Sequence, residues 1–229
     1  MHQDQPTGRN SLKQDRLRLL ESIRARGIAT EPVLDAMAAV PREEFVDQQF
    51  RHLAYDDNAL PIGLGQTISQ PTVVAIMTTA LDIKPGNTIL EIGTGSGYQA
   101  AVISRMAETC ITIELHPELA ARARETMSKL GIDNVEIITG DGSRGFPERA
   151  PFDRILVTAA APTVPDELLD QLRELPGSRL VAPVGDQHNQ SLTIVEWTKH
   201  GWNERRSGSM RFVPLRGEAG WSTTEWKRD

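Results

Sequence analysis

The segment that most constrains the fold is Thr88 to Ile92, an apolar β-type run that passes straight into Gly93-Thr94-Gly95-Ser96-Gly97 and then into helix-forming residues. A strand, a glycine loop and a helix in immediate succession form the unit with which a parallel sheet binds nucleotide-like ligands at its carboxyl edge. The glycines let the backbone turn tightly and approach a ligand without an intervening Cβ.

The flanking sequence repeats the same alternation. Helices are expected over Pro71 to Leu81, Tyr98 to Ala107, Pro117 to Leu130 and Pro165 to Leu172. Strands are expected over Cys110 to Glu114, Val135 to Thr139, Arg154 to Thr158 and Arg179 to Pro183. Strands that are apolar along their length and alternate with helices indicate a doubly wound, mainly parallel α/β sheet covered on both faces. After Val184 the helical pattern stops. Ser191 to Thr198 and Trp202 to Arg206 flank the turn Lys199-His200-Gly201, an antiparallel hairpin, and Arg211 to Leu215 reads as one more short strand.

The chain of 229 residues is about one and a half domains long, which predicts a single domain, 1–229, with extensions. Residues 1–10 read as a disordered polar tail. The 11–70 segment holds a helix over Ser11 to Arg26, a second after Thr30, and a long irregular stretch from Arg51 to Gln70. The core occupies 71–184, C-terminal strands 185–215, and a polar tail with Trp221 and Trp226 the remainder, 216–229.

Composition narrows the partners. With 25 Lys+Arg against 31 Asp+Glu, the formal charge of -6 opposes attraction to nucleic acid. The single cysteine, Cys110, forms no internal disulfide, and neither it nor the scattered histidines suggest a metal site, so a cytoplasmic setting is expected. No apolar run is long enough to span a membrane, and a monomer is the expected state.

Two carboxylates extend the glycine loop into a constellation. Glu114 ends the next strand, where it can accept both ribose hydroxyl protons, and Asp141 of Gly140-Asp141-Gly142 follows the third, within reach of an adenine amino group. The loop departs from the dinucleotide pattern GxGxxG, whose third glycine position is held by Tyr98. Glu91, just before the loop, would repel a pyrophosphate and attract the ammonium of a methionine moiety.

These residues resemble the first motif of class I S-adenosylmethionine-dependent methyltransferases, Glu91 to Gly97, with Glu114 and Asp141 at the acidic positions. A more specific resemblance lies in Gly65-Gln66-Thr67-Ile68-Ser69-Gln70-Pro71, with Tyr55 to Gly63, Val40 to Val46, Gly140 to Phe146, Val157 to Pro162 and Arg211 to Leu215. Together these strings are similar to the protein-L-isoaspartate O-methyltransferases, from about residue 15 to 215. The resemblance implies methyl transfer from S-adenosylmethionine to the free α-carboxylate of L-isoaspartyl residues in damaged proteins and peptides, a repair reaction. It implies a catalytic Ser69 near the reacting centre and cofactor contacts from Thr67, Ile68, Glu91, Gly93, Gly95, Gly97, Glu114, Asp141 and Gly142. Ser69 and Val213 would meet the peptide substrate. Arg216 stands where several family members have a threonine that helps close the site, and that contact is not carried over.

A carboxylate with a pKa near ~4 is already ionised at neutral pH, so the implied reaction calls for neither a general base nor a metal. Ser69 also reads as an N-cap for the helix at Pro71. Rival readings are a small-molecule carboxyl methyltransferase and an inactive, cofactor-binding interaction protein. A nucleic-acid amine methyltransferase is disfavoured, because Thr158-Ala159-Ala160-Ala161-Pro162 lacks the Asn/Asp-Pro-Pro-aromatic motif that such chemistry uses.

Overall fold

The computed structural model describes residues 8–222 and Trp226. Helices α1 (Gly8–Ala25) and α2 (Glu31–Ala39) open the described chain and lead through two 3-10 turns into a small hairpin, β1 (Leu60–Gly63) and β2 (Gln66–Ile68). Then come α3 (Pro71–Leu81), β3 (Thr88–Ile92), α4 (Tyr98–Ser104), β4 (Thr109–Glu114), α5 (Pro117–Lys129) and β5 (Val135–Thr139). The remainder is β6 (Arg154–Val157), α6 (Asp166–Leu169), β7 (Arg179–Gly185), β8 (Gln190–Thr198) and β9 (Gly201–Met210).

Seven strands form one sheet in the order β5-β4-β3-β6-β7-β8-β9. The first five are mutually parallel and the last two antiparallel, as the apolar-run pattern predicts. Side chains alternate across each strand and feed two separate cores. Ile89, Cys110, Leu156 and Val181 pack with α1 to α5 on one face. Leu90, Ile111, Ile155 and Leu180 pack with Phe152, Leu168 and Leu172 on the other. The chain winds outward from β3 to β5, then returns to place β6 on β3's other side, so the sheet's switch point lies between β3 and β6. Ligands of open α/β sheets bind just outside the carboxyl ends of such strands.

Several local expectations are corrected. Arg211 to Leu215 is not a strand: Ala160 N–H donates to Val213 O and Leu215 N–H to Ala160 O, both at 2.8 Å, but this is an isolated bridge through Pro214. Proline has no N–H with which to extend a ladder. The helix expected over 165–172 stops at Leu169, because the chain turns to pair with Phe152 through Phe152 N–H to Gln171 O, 2.8 Å, and Arg173 N–H to Phe152 O, 2.8 Å. Helix α4 ends at Ser104, where the bonds tighten to Arg105 N–H on Val102 O and Met106 N–H on Ile103 O. Of the expected polar tail 1–10, residues 8–10 belong to α1 and 1–7 lie outside the described residues. The stretch 51–70 is more ordered than its sequence suggests, since it contains the β1–β2 hairpin.

Candidate active site

A cleft of about 820 Å³, measured with its open mouth, lies at the switch point. Its floor is the β3 loop, Ile92 to Ser96; one wall is Gln66 to Ser69; the opposite wall is Val213 to Arg216; and Glu114 and Gly142 line the remaining edge.

The loop is shaped by sterics. Gly93 has φ +97°, and a Cβ there would collide with Thr158 Oγ1, whose hydroxyl is held 2.9 Å from Ile92 O and 2.6 Å from Gly93 O. Gly95 N–H donates to Glu114 Oε2 at 2.7 Å, and His116 N–H to Glu114 Oε1 at 2.9 Å. A carboxylate accepts about four hydrogen bonds, so two acceptor sites of Glu114 remain for a ligand. Gly97 is the N-cap of α4 and faces Ala123 and Met127 of α5; it lets two helices approach and does not line the cleft.

Glu91 is also absent from the lining. It is fully buried on the face of β3 opposite Ile92, with Oε2 accepting from Thr112 Oγ1 at 2.5 Å and Thr112 Oγ1 lying 2.7 Å from Thr94 Oγ1. Its other oxygen, Oε1, has no partner. Burial, reinforced by the nearby Glu114, raises its pKa to about 8 despite the Thr112 bond. Glu91 therefore acts beneath the loop, through Thr112 and Thr94.

Ser69 lines the cleft with Thr67 and Ile68, and it is not the cap of α3. The N-cap is Gln70, with no side-chain cap bond. The helix is capped from a distance by Asp57, whose carboxylate accepts from Thr72 N–H at 2.9 Å and Thr72 Oγ1 at 2.6 Å. Partial burial opposes charge on Asp57, but the Thr72 bonds, Gln70 and Arg26 outweigh it and hold the carboxyl below its ordinary value.

Asp141 lies just outside the lining, beside Gly142. Its Oδ1 accepts from Ser143 N–H at 2.8 Å and its Oδ2 from Glu218 N–H at 2.8 Å. Partial burial opposes its charge, but these bonds lower its pKa.

Arg216, noted in the sequence at a site-closing position, lines the cleft. Several residues in or behind the cleft escape sequence reasoning: Tyr98, Gln99, His116 and Thr158 line it. Behind Tyr98 the fully buried Arg42 stacks with its guanidinium 4.9 Å from the ring centroid, and Arg42 Nε donates to Ala54 O at 2.8 Å. Burial lowers the Arg42 pKa to about 10 and, as the main cause, raises that of Tyr98 to about 12. At neutral pH the pair is thus a cation against a neutral phenol. The signal for Arg42 was a charged residue in the apolar string Val40-Pro41-Arg42, which reads equally well as a solvated turn.

The chain that carries this cleft matches a known group of enzymes. The sequence profile of the protein-L-isoaspartate(D-aspartate) O-methyltransferase family matches residues 14–220. The chain belongs to this family. A protein-L-isoaspartate O-methyltransferase of Methanopyrus kandleri is 50% identical over 216 residues, covering 92% of this chain and 95% of that one. Another, from Syntrophobacter fumaroxidans, is 51% identical over 197 residues, covering 86% and 91%. Among solved structures, one titled protein-L-isoaspartate O-methyltransferase superposes with TM-score 0.80 at 28% identity, over 90% of this chain and 67% of that one. A Plasmodium falciparum protein assigned to the same activity, in complex with S-adenosyl-L-homocysteine, superposes with TM-score 0.74 at 27% identity, over 87% and 97%. Membership makes this chain a methyltransferase whose cofactor is S-adenosylmethionine. The cleft fits that cofactor on its own observations: the glycine loop at its floor and the spare acceptor sites on Glu114. Among the described residues no group of three or more His, Cys, Asp or Glu side chains is arranged to hold a metal.

Proposed function

We propose that this cleft methylates the free α-carboxylate of L-isoaspartyl residues in proteins and peptides, with Ser69 at the reacting centre. The observation that carries this reading is convergence: Thr67, Ile68 and Ser69 from the hairpin arm, Gly93 and Gly95 from the loop, Glu114 and Gly142 from the strand ends, and Val213 from the C-terminal wall all face one cavity. Bound S-adenosylmethionine supplies an electrophilic methyl group on a sulfonium sulfur. A carboxylate oxygen attacks the methyl carbon, the carbon–sulfur bond breaks, and its electron pair stays on sulfur, leaving a methyl ester and S-adenosylhomocysteine. No proton moves, so the protein's contribution is orientation, which supplies several of the ~7–11 kcal/mol available from holding reactants in line.

In this reading Glu114 takes the ribose hydroxyls, Gly93 and Gly95 admit the cofactor's body, and Asp141 and Gly142 border its adenine. Ser69 offers a hydroxyl donor to the attacking carboxylate, and Val213 runs beside the peptide. Glu91 serves the methionine end indirectly, by fixing Thr94. In this reading the enzyme acts as a monomer, because the residues of one chain suffice to line the cleft. A cytoplasmic setting accords with a lone, buried cysteine, and the residues form one domain in which 11–70 and 185–222 enclose the core 71–184.

The test is single-turnover methyl transfer to an isoaspartyl peptide, alongside calorimetric binding of S-adenosylhomocysteine. The wild-type protein forms ester and S-adenosylhomocysteine in equal amounts. Ser69→Ala keeps cofactor affinity and slows transfer by about a hundredfold, the scale of losing one positioned donor. Unchanged transfer in the variant removes Ser69 from the reaction.

A further inference from the structure

The segment after the C-terminal wall is built onto the far end of the same cleft. Trp221 N–H donates to Leu215 O at 2.8 Å, and Arg216 Nη1 donates to Ser222 O at 2.6 Å, so Arg216 to Trp221 closes into a compact strap. One edge of the strap rests on the β5 turn. Glu218 N–H donates to Asp141 Oδ2 at 2.8 Å, Ala219 N–H donates to Ser143 Oγ at 3.0 Å, and Glu218 pairs with Arg144 at 3.1 Å. The fit leaves no spare room: Gly217 has φ +136°, and a Cβ there would collide with both Asp141 and Ser143.

The strap therefore joins two parts of the cleft that are distant in sequence. Its N-terminal end is the wall Val213 to Arg216, and its anchor is the Asp141–Ser143 turn, whose middle residue, Gly142, also lines the cleft. We propose that Asp141, Ser143 and Gly217 are positioning residues for the peptide side of the reaction: they hold the strap, and through it the Val213–Arg216 wall, against the substrate. This assigns Asp141 a role beyond bordering the adenine. It couples the cofactor's far end to the peptide wall, and such coupling is reciprocal between the two ligands. The inference rests on the proposed placement of the peptide beside Val213.

Gly217→Ala tests it, and because the added Cβ presses on Asp141 as well as Ser143, S-adenosylhomocysteine affinity is measured alongside. The expected result is faster amide hydrogen exchange at Glu218 and Ala219, core exchange unchanged, and a KM for the isoaspartyl peptide raised about tenfold with kcat nearly constant, as for the loss of one or two hydrogen bonds. Ser143→Ala, a smaller change, repeats the readout should the glycine variant fold poorly. Faster strap exchange with unchanged KM would overturn the proposal, and so would unchanged exchange in both variants. A wild-type protein inactive on the peptide would instead defeat the functional reading itself. If Asp141→Asn leaves S-adenosylhomocysteine affinity intact while raising the peptide KM, only the adenine assignment falls.

Discussion

Glu91 shows how a single side chain can brace a cleft it does not enter. Strand alternation turns Ile92 into the cleft and Glu91 away from it, into the core shared by Ile89 and Leu156. There it steadies Thr112 and, through it, Thr94 under the glycine loop. With its folded pKa raised to about 8 from an ordinary 4.5, the folded state binds more protons than the unfolded state between those values. Stability contributed by this group is therefore full below about pH 4.5 and is lost as pH rises through about 8. Urea unfolding at both ends of that range should show the wild-type protein losing more stability with rising pH than Glu91→Gln, whose amide does not titrate. Parallel pH profiles would contradict the assignment. The sequence places Glu91 next to the loop but does not reveal which face it takes until the register of β3 against β4 and β6 is known. Gly93 and Gly95 were legible because their positive φ favours glycine, and Glu114 because it ends the strand beside the loop.

At the scale of elements, Ser69, the proposed reacting-centre residue, sits at the junction of β2 and α3, and that junction is held by Asp57 from outside the helix. Replacing Asp57 with Ala removes two hydrogen bonds to Thr72 and should cost about 1–2 kcal/mol in denaturant unfolding. It should also lower kcat/KM on an isoaspartyl peptide, because Ser69 lies two residues before the helix. Asp57→Asn, which keeps an acceptor, should recover most of both. Equal losses in the two variants would show that charge rather than capping matters. The bounds of α3, β3 and β5 agree with the sequence expectation, since Pro71 marks a helix start and the two strands are unbroken β-type runs. The β1–β2 hairpin did not announce itself: its strands are only three or four residues long, and Gly63 and Gly65 interrupt any alternation. The error at Arg211 to Leu215 has a related origin, because an apolar string reads as a strand whether or not Pro214 can join a ladder.

For the molecule as a whole, winding away from β3 and back to β6 opens the crevice, and the segments outside the α/β core supply two of its walls. Ser69, Thr67, Ile68 and Val213, which the resemblance singles out, all line the cleft; the docking of Glu218 and Ala219 on Asp141 and Ser143 depends on a tertiary meeting of residues 77 and 76 positions apart, which no local pattern encodes. The net charge of -6 acts on the same scale. It slows encounter with acidic peptides, so kcat/KM for an isoaspartyl peptide rich in Asp and Glu should rise as salt increases toward about 0.15 M, while that for a neutral peptide stays flat. A fall with salt would point to a cationic docking surface. The central claim, that this cleft takes the α-carboxylate of an isoaspartyl residue, is tested most directly by kcat/KM on two peptides that differ only in an isoaspartyl or an aspartyl linkage. A preference of more than about a hundredfold for the isoaspartyl peptide is the predicted result, and equal rates on the two would contradict it.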